Sequence, residues 1–285
     1  MKRLKIYAEF IKIEHTLFAL PFAYIGAFMA ARGLFSLKVF VLIFLAFTSF
    51  RSAAMALNRI IDREIDALNP RTANRHLPSG LISLNEAYMI VAVSLLVYFV
   101  SAYLINDTAF KLSLIPLITA YVYPYLKRFT CLSHFVLGLN LSYAPIGGWI
   151  SITNSFSLES ELVPILIGVA VIFWVAGFDI IYALQDLNFD KKYGLHSIGA
   201  HFGVKTALTV SIACHIVFFS LISASLLIYG LHNFFGLFLI VLLLFYQHWI
   251  IKDSFDEGKV QIAFFYSNAA ISAILFLTIL TGLVM

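Results

Sequence analysis

The sequence predicts an all-α, polytopic membrane protein with about nine transmembrane helices, and three observations carry that prediction. Of the 285 residues, 61% are hydrophobic and only 12% charged, too little polar surface to cover a soluble core of this size. Windows of about 20 apolar residues, the length that crosses a bilayer, fall at nine places: roughly 16 to 35, 38 to 57, 86 to 105, 109 to 126, 134 to 153, 162 to 185, 205 to 230, 234 to 251 and 263 to 284. The basic residues then sort by side. Of 19 Lys and Arg, 16 fall on the amino-terminal side of a nine-span topology and only Arg32, Lys38 and Lys111 on the other. That bias places the amino terminus and the loops after even-numbered spans in the cytoplasm and the carboxyl terminus outside, in the plasma membrane of a prokaryote. The net charge of +4 is spent on this sorting, so no nucleic-acid partner is expected.

The first span follows Lys2, Arg3, Lys5 and Lys12 with no small-residue cleavage site, and reads as a helix of the mature protein. Span 2 contains Arg51, seven residues before Asn58 and on the same helical face. An intramembrane Arg is costly unless paired, which marks it as a phosphate or carboxylate partner. The span runs into Asn58-Arg59-Ile60-Ile61-Asp62-Arg63-Glu64-Ile65-Asp66. Asn58, Asp62 and Asp66 are four residues apart, so a helix stacks them on one face and converges their oxygens. Two carboxylates held together repel, and a hard cation such as Mg²⁺, which takes oxygen ligands and leaves positions for phosphate, is the usual physical reason for such a pair. The loop that follows, residues 66 to 80, is rich in turn formers, and Arg71 and Arg75 are placed to reach back and clamp phosphate with their guanidinium forks.

Span 4 closes in Tyr123-Pro124-Tyr125-Leu126-Lys127-Arg128, where Arg128 reads as a snorkelling residue. Asn140 and Tyr143 on span 5 are polar at depth and read as interhelical hydrogen-bonders. Glu159 and Glu161 form the acidic pair of the loop on the opposite side, expected to tolerate Gln with near-normal activity. Span 6 ends in a second cluster, with Asp179 followed by Tyr182, Asp186 and Asp190, the last three each 124 positions after Asn58, Asp62 and Asp66. Six of the chain's 15 acidic residues, five of them Asp62, Asp66, Asp179, Asp186 and Asp190, thus sit in two windows at one membrane face, which suggests paired cation sites around a diphosphate. The chain reads as one domain, 1–285, of two quasi-equivalent halves, each with a carboxylate motif. His15, His134, His215 and His248 have no ligand spacing and read as packing, as do Cys131 and Cys214.

These windows resemble the UbiA superfamily of intramembrane aromatic prenyltransferases. The family's NDxxDxxxD motif stands here as residues 58 to 66, with Arg59 in place of the Asp at its second position, and its DxxxD as Asp186 and Asp190. The resemblance extends to Glu14-His15-Thr16, Arg71-Thr72-Ala73-Asn74-Arg75, the segment ending at Lys127-Arg128, and Trp174 to Tyr182. It implies a nine-helix bundle around one central cavity that takes a polyprenyl diphosphate and an aromatic acceptor, with membrane lipid around the tail. It implies Mg²⁺ as cofactor, held by Asn58, Asp62, Asp66, Asp186 and Asp190, and Arg71, Arg75 and Lys127 as phosphate contacts, beside Arg51. With Asp179, these Asp residues and Lys127 form the expected catalytic set. The activity implied is prenyl transfer to a ring carbon of a phenolic acid such as 4-hydroxybenzoate, or to a dihydroxynaphthoate-type menaquinone precursor, in quinone biosynthesis. Two other classes share features. A cation transporter would place its carboxylates near mid-membrane without bases beside them. A membrane alcohol phosphotransferase would leave phosphorus in its product.

Overall fold

The computed structural model describes residues 2–157 and 161–284. Among them every regular element is helical. The membrane helices are α1 (Ile13–Ala31), α2 (Leu37–Leu68), α3 (Leu84–Ile105), α4 (Asp107–Leu126, interrupted at Ser113), α5 (Ser133–Thr153), α6 (Leu162–Ala183), α7 (Val204–Tyr229), α8 (Phe234–Ile250) and α9 (Ser267–Val284). Eight helical stretches are long and apolar enough to cross a bilayer, and α8, at 17 residues, is a shorter apolar helix in the ninth predicted place. The chain is thus an integral membrane protein with the expected all-α fold.

Local chemistry sets the ends. Ser83 and Glu86 form a reciprocal capping box at the start of α3, satisfying two orphan donors there. Asn106 closes α3 and opens α4, its side chain accepting from Ala109 N at 2.8 Å. Helix-helix approach depends on missing side chains. A Cβ on Gly148 would lie 1.8 Å from Ala23 O, and one on Gly26 1.9 Å from Pro145 O, so α1 and α5 meet backbone to backbone. Gly138 does the same for α5 and α6, where a Cβ would lie 2.4 Å from Ile172 O. Helix α6 is central, packed along α5 and α7. Its Trp174 is fully buried, with ring centroids 4.8 Å from Phe22, 5.2 Å from Phe178 and 5.9 Å from Phe218.

Two helices depart from the apolar windows, and both carry the charged motifs. Helix α2 has 32 residues, about 48 Å at 1.5 Å per residue, against a hydrocarbon core of about 30 Å; its last turns therefore stand clear of the lipid. Helix α6 tightens into a 3₁₀ turn at Leu184–Asp186 before a further helix, Leu187–Tyr193. The first cluster sits on continuous α-helix and the second does not, so Tyr182, Asp186 and Asp190 do not reproduce the one-face stacking of Asn58, Asp62 and Asp66. On the opposite side Glu159 lies outside the described residues. Glu161 is 2% exposed and accepts from Ser155 Oγ and Ser157 N, both at 2.9 Å, which makes it a clamp for its own loop.

Candidate active site

The end of α2 builds the first half of the site. Asp62 and Asp66 are 3% and 4% exposed, and buried carboxylates need partners. Asn58 Nδ2 donates to Asp62 Oδ2 at 3.3 Å, and Lys127 Nζ, just past α4, donates to the same oxygen at 2.6 Å. Arg128 Nη2 stands 3.7 Å from Asp62 Oδ1 and donates to Ile61 O at 3.1 Å. The loop after α2 then doubles back. Thr72 Oγ1 donates to Asp66 O at 2.9 Å, and this turn brings Arg75 Nη1 to 2.8 Å from both Asp66 oxygens.

Four residues earlier, the same loop reaches the other way. Arg71 Nε donates to Asp186 Oδ1 at 2.8 Å and its Nη2 to Oδ2, a bidentate fork. Its Nη1 donates to the Tyr182 hydroxyl at 2.9 Å, with the guanidinium 5.1 Å above the Tyr182 ring. Asn69 Nδ2 adds a bond to Asp186 Oδ1 at 2.8 Å. Burial alone would lower the Arg71 pKa, but Asp186 and Tyr182 outweigh it and hold the guanidinium above its usual value. The loop after the second cluster ties back to the first half through His196 N, which donates to Lys127 O at 2.7 Å.

All ten residues expected at the site, Arg51, Asn58, Asp62, Asp66, Arg71, Arg75, Lys127, Asp179, Asp186 and Asp190, line one cavity of about 580 Å³. One expectation changes. The carboxylates do not converge on a common point: Asp62, Asp66 and Asp186 each rest on their own cation, and no described group of three His, Cys, Asp or Glu stands close enough to hold a metal ion. Opposite charges on separate elements lower the repulsion more cheaply than stacking the anions would. Two residues read as bystanders also reach carboxylates of the site. Arg128 reaches Asp62, and only its place beside Lys127 hinted at this. His134 Nδ1 lies 2.7 Å from Asp179 Oδ2, for which the spacing held no signal. Asn140 behaves as read, its Oδ1 accepting from Thr119 Oγ1 at 2.6 Å.

The residues fit a divalent cation with an anionic ligand. Asp62 Oδ1 is buried without a hydrogen bond, as are Arg51 Nε and Arg59 Nε. A buried carboxylate oxygen without a donor suits a hard cation, and buried guanidinium N–H groups without acceptors suit phosphate oxygens. With Asn58 Oδ1 and the carboxylates of Asp66, Asp186 and Asp190 in the same wall, the donor set is all oxygen, the set Mg²⁺ prefers.

The sequence matches the model of the UbiA prenyltransferase family over residues 19–269. It is 32% identical over 257 residues to a 4-hydroxybenzoate octaprenyltransferase of Aliivibrio fischeri (strain MJ11), covering 88% of this chain and 86% of that protein. Among solved structures, the apo structure of a UbiA homolog from Aeropyrum pernix K1 superposes with a TM-score of 0.85 at 38% identity, covering 94% of this chain and 98% of that one. A UbiA homolog from Archaeoglobus fulgidus bound to GPP and Mg²⁺ superposes with a TM-score of 0.75 at 25% identity, covering 98% of this chain and all of that one.

Proposed function

The chain belongs to the UbiA prenyltransferase family, and from that premise we propose that it transfers a prenyl group from a polyprenyl diphosphate to a ring carbon of a phenolic acid of the 4-hydroxybenzoate type, with Mg²⁺, in quinone biosynthesis. The observation that carries the reading is that one cavity holds two carboxylate clusters, each matched to a base from another element. Bound Mg²⁺ supplies charge neutralisation of the diphosphate. The chain's own bases do the rest: Lys127, Arg71 and Arg75 turn from their carboxylates to the phosphate oxygens, where they stabilise the charge that builds as the allylic C–O bond breaks. Arg51, buried below them with a free Nε, takes a phosphate or carboxylate oxygen. Aromatic side chains around the cavity, Phe18, Phe178, Tyr123 and Phe264 among them, present ring faces suited to an allylic cation and exclude water from it.

The 16-to-3 bias of basic residues supports a topology with the amino terminus and the site on the cytoplasmic face and the carboxyl terminus outside. Labelling of single cysteines at positions 34 and 193 by an impermeant reagent tests it: only the first is expected to react in intact cells. For the activity, purified protein with Mg²⁺, a panel of prenyl diphosphates and a panel of phenolic acids including 4-hydroxybenzoate and a dihydroxynaphthoate should yield a carbon-prenylated acid plus free diphosphate, identified by mass. A lipid product that retains phosphorus, or turnover that ignores the acceptor, would reject the assignment.

A further inference from the structure

The pair formed by His134 and Asp179 stands apart from the ion pairs around it. Asp62, Asp66 and Asp186 each rest on a Lys or Arg, whereas Asp179 Oδ2 lies 2.7 Å from an imidazole nitrogen. The tautomer follows from the other ring nitrogen. Ile198 N, a donor, points at His134 Nε2 at 3.5 Å, so Nε2 accepts and Nδ1 carries the hydrogen given to Asp179. With both nitrogens engaged, the imidazole has no free lone pair for chemistry. Asp179 does: its Oδ1 accepts no hydrogen bond from any described residue, and the side chain is 17% exposed toward the cavity against 5% for His134.

The pair is rigidly placed. His134 is in the first turn of α5 and Asp179 near the end of α6, helices that meet backbone to backbone at Gly138 and Ile172. Ile198 begins the short helix Ile198–Phe202, whose first turn is capped by Ser197 Oγ accepting from Ala200 N at 3.2 Å. The loop before it also donates to Lys127 O. The imidazole is therefore held at both ends, between the second carboxylate loop and the carboxylate that faces the acceptor space.

We propose that Asp179 is the proton acceptor for the aromatic ring and that His134 is its positioning residue, aiming the free Oδ1 into the cavity. The proposal rests on the prenyl-transfer reading. In the step it describes, the allylic C–O bond breaks with its electron pair left on the diphosphate oxygen, and a π pair of the ring forms the new C–C bond. The ring C–H proton then passes to Asp179 Oδ1, and the C–H pair restores aromaticity. A general base is needed only in this last step, which separates its loss from loss of the diphosphate site.

The test uses the full-length protein and an acceptor deuterated at its ring carbons, compared with the protonated one. In the parent, proton loss follows a slower bond heterolysis, and no isotope effect is expected. Asp179→Asn and His134→Leu should lower kcat on the order of 10²-fold or more, leave the KM for prenyl diphosphate unchanged, and reveal an isotope effect as C–H cleavage becomes limiting. His134→Gln, whose amide N–H can still reach Asp179, should recover most of the rate and suppress the isotope effect. Thermal denaturation of each variant identifies any that is lost to misfolding, and Asp179→Asn, nearly isosteric, is the variant least exposed to that. Parent-like rates without an isotope effect in Asp179→Asn would overturn the proposal alone, leaving the diphosphate as the base. A rate loss in His134→Leu that appears only as a raised donor KM would also overturn it. If the parent forms no ring-prenylated product, the function reading fails and this proposal with it.

Discussion

Lys127 Nζ lies 2.6 Å from Asp62 Oδ2, joining the residue after α4 to the buried face of α2 across 65 positions of sequence. The Asp62 side chain is 4% exposed and that of Lys127 30%, so the carboxylate is fixed and the ammonium is the mobile partner. The resting site therefore has the character of an ion-exchange cradle. Its anions keep their places, and its cations sit on flexible or loop-borne side chains ready to change partners. Lys127→Met should leave Asp62 buried beside fewer cations and remove one phosphate contact. Its kcat/KM for prenyl transfer is expected to fall on the order of 10²-fold. Initial rates over a donor titration check this; a variant with parent kcat/KM would show that Lys127 serves only to neutralise Asp62.

On the prenyl-transfer reading the two clusters act on one ligand, and their contributions should then not multiply. Asp66→Asn and Asp190→Asn are each expected to lower kcat/KM on the order of 10²-fold or more, and the double variant to lose much less than the product of the two. Glu64 is the internal control, because it lies between Asp62 and Asp66 in sequence but its side chain is 83% exposed. Glu64→Gln should keep near-parent rates over a Mg²⁺ titration. Should Asp66→Asn and Asp190→Asn keep parent Mg²⁺ dependence, the shared site is wrong.

The membrane helices were legible because their signal is compositional: about 20 apolar residues with bases sorted to one side leave little choice of fold. The carboxylate windows were legible because Asn58, Asp62 and Asp66 are local, four apart on one helix. The pairings of those carboxylates were not. Arg71 reaches Asp186 across 115 positions while Arg75 turns back to Asp66 across nine, and no spacing rule separates two arginines of one loop. The 3₁₀ turn at Leu184–Asp186 was hidden because the second window repeats the spacing of the first and its two aspartates but not its backbone. His134 was hidden for a third reason: an imidazole partnered through tertiary packing looks, in sequence, like any other buried ring.

The approach of α1 and α5 gives a stability prediction independent of the chemistry. Gly148→Ala puts a methyl 1.8 Å from Ala23 O, which only a shift of backbone can relieve, and overpacking of this kind costs about 1–3 kcal/mol. Gly147, its neighbour on the same helix, has nothing within 4 Å of where its Cβ would be. In detergent, thermal denaturation of Gly148→Ala should occur well below that of the parent and Gly147→Ala close to it. Equal melting of the two variants would mean that the helices are not in backbone contact there.

A second cavity bears on the length of the donor chain. It measures about 200 Å³, lies among α1 to α5, is walled mainly by apolar side chains such as Ile43, Phe47, Ile105 and Ile146, and shares Phe50 and Asn140 with the larger cavity. Phe50 is 7% exposed and packs on Tyr98 with ring centroids 5.2 Å apart, so its ring fills the boundary between the two spaces. An isoprenoid tail that passes from the larger cavity into the smaller one meets this ring, and at about 0.8 kcal/mol per buried methylene even one further isoprene unit admitted past it changes affinity many-fold. Phe50→Ala should therefore raise kcat/KM for longer prenyl diphosphates relative to shorter ones, with the Mg²⁺ requirement unchanged, since Phe50 packs in an apolar cluster with Tyr98 and Ala120. Competition between donors of different length in one reaction, read by product mass, measures the ratio directly. An unchanged product ratio would show that the tail leaves the site by another path, and equal loss with every donor would show that Phe50 supports the fold and does not gate the chain.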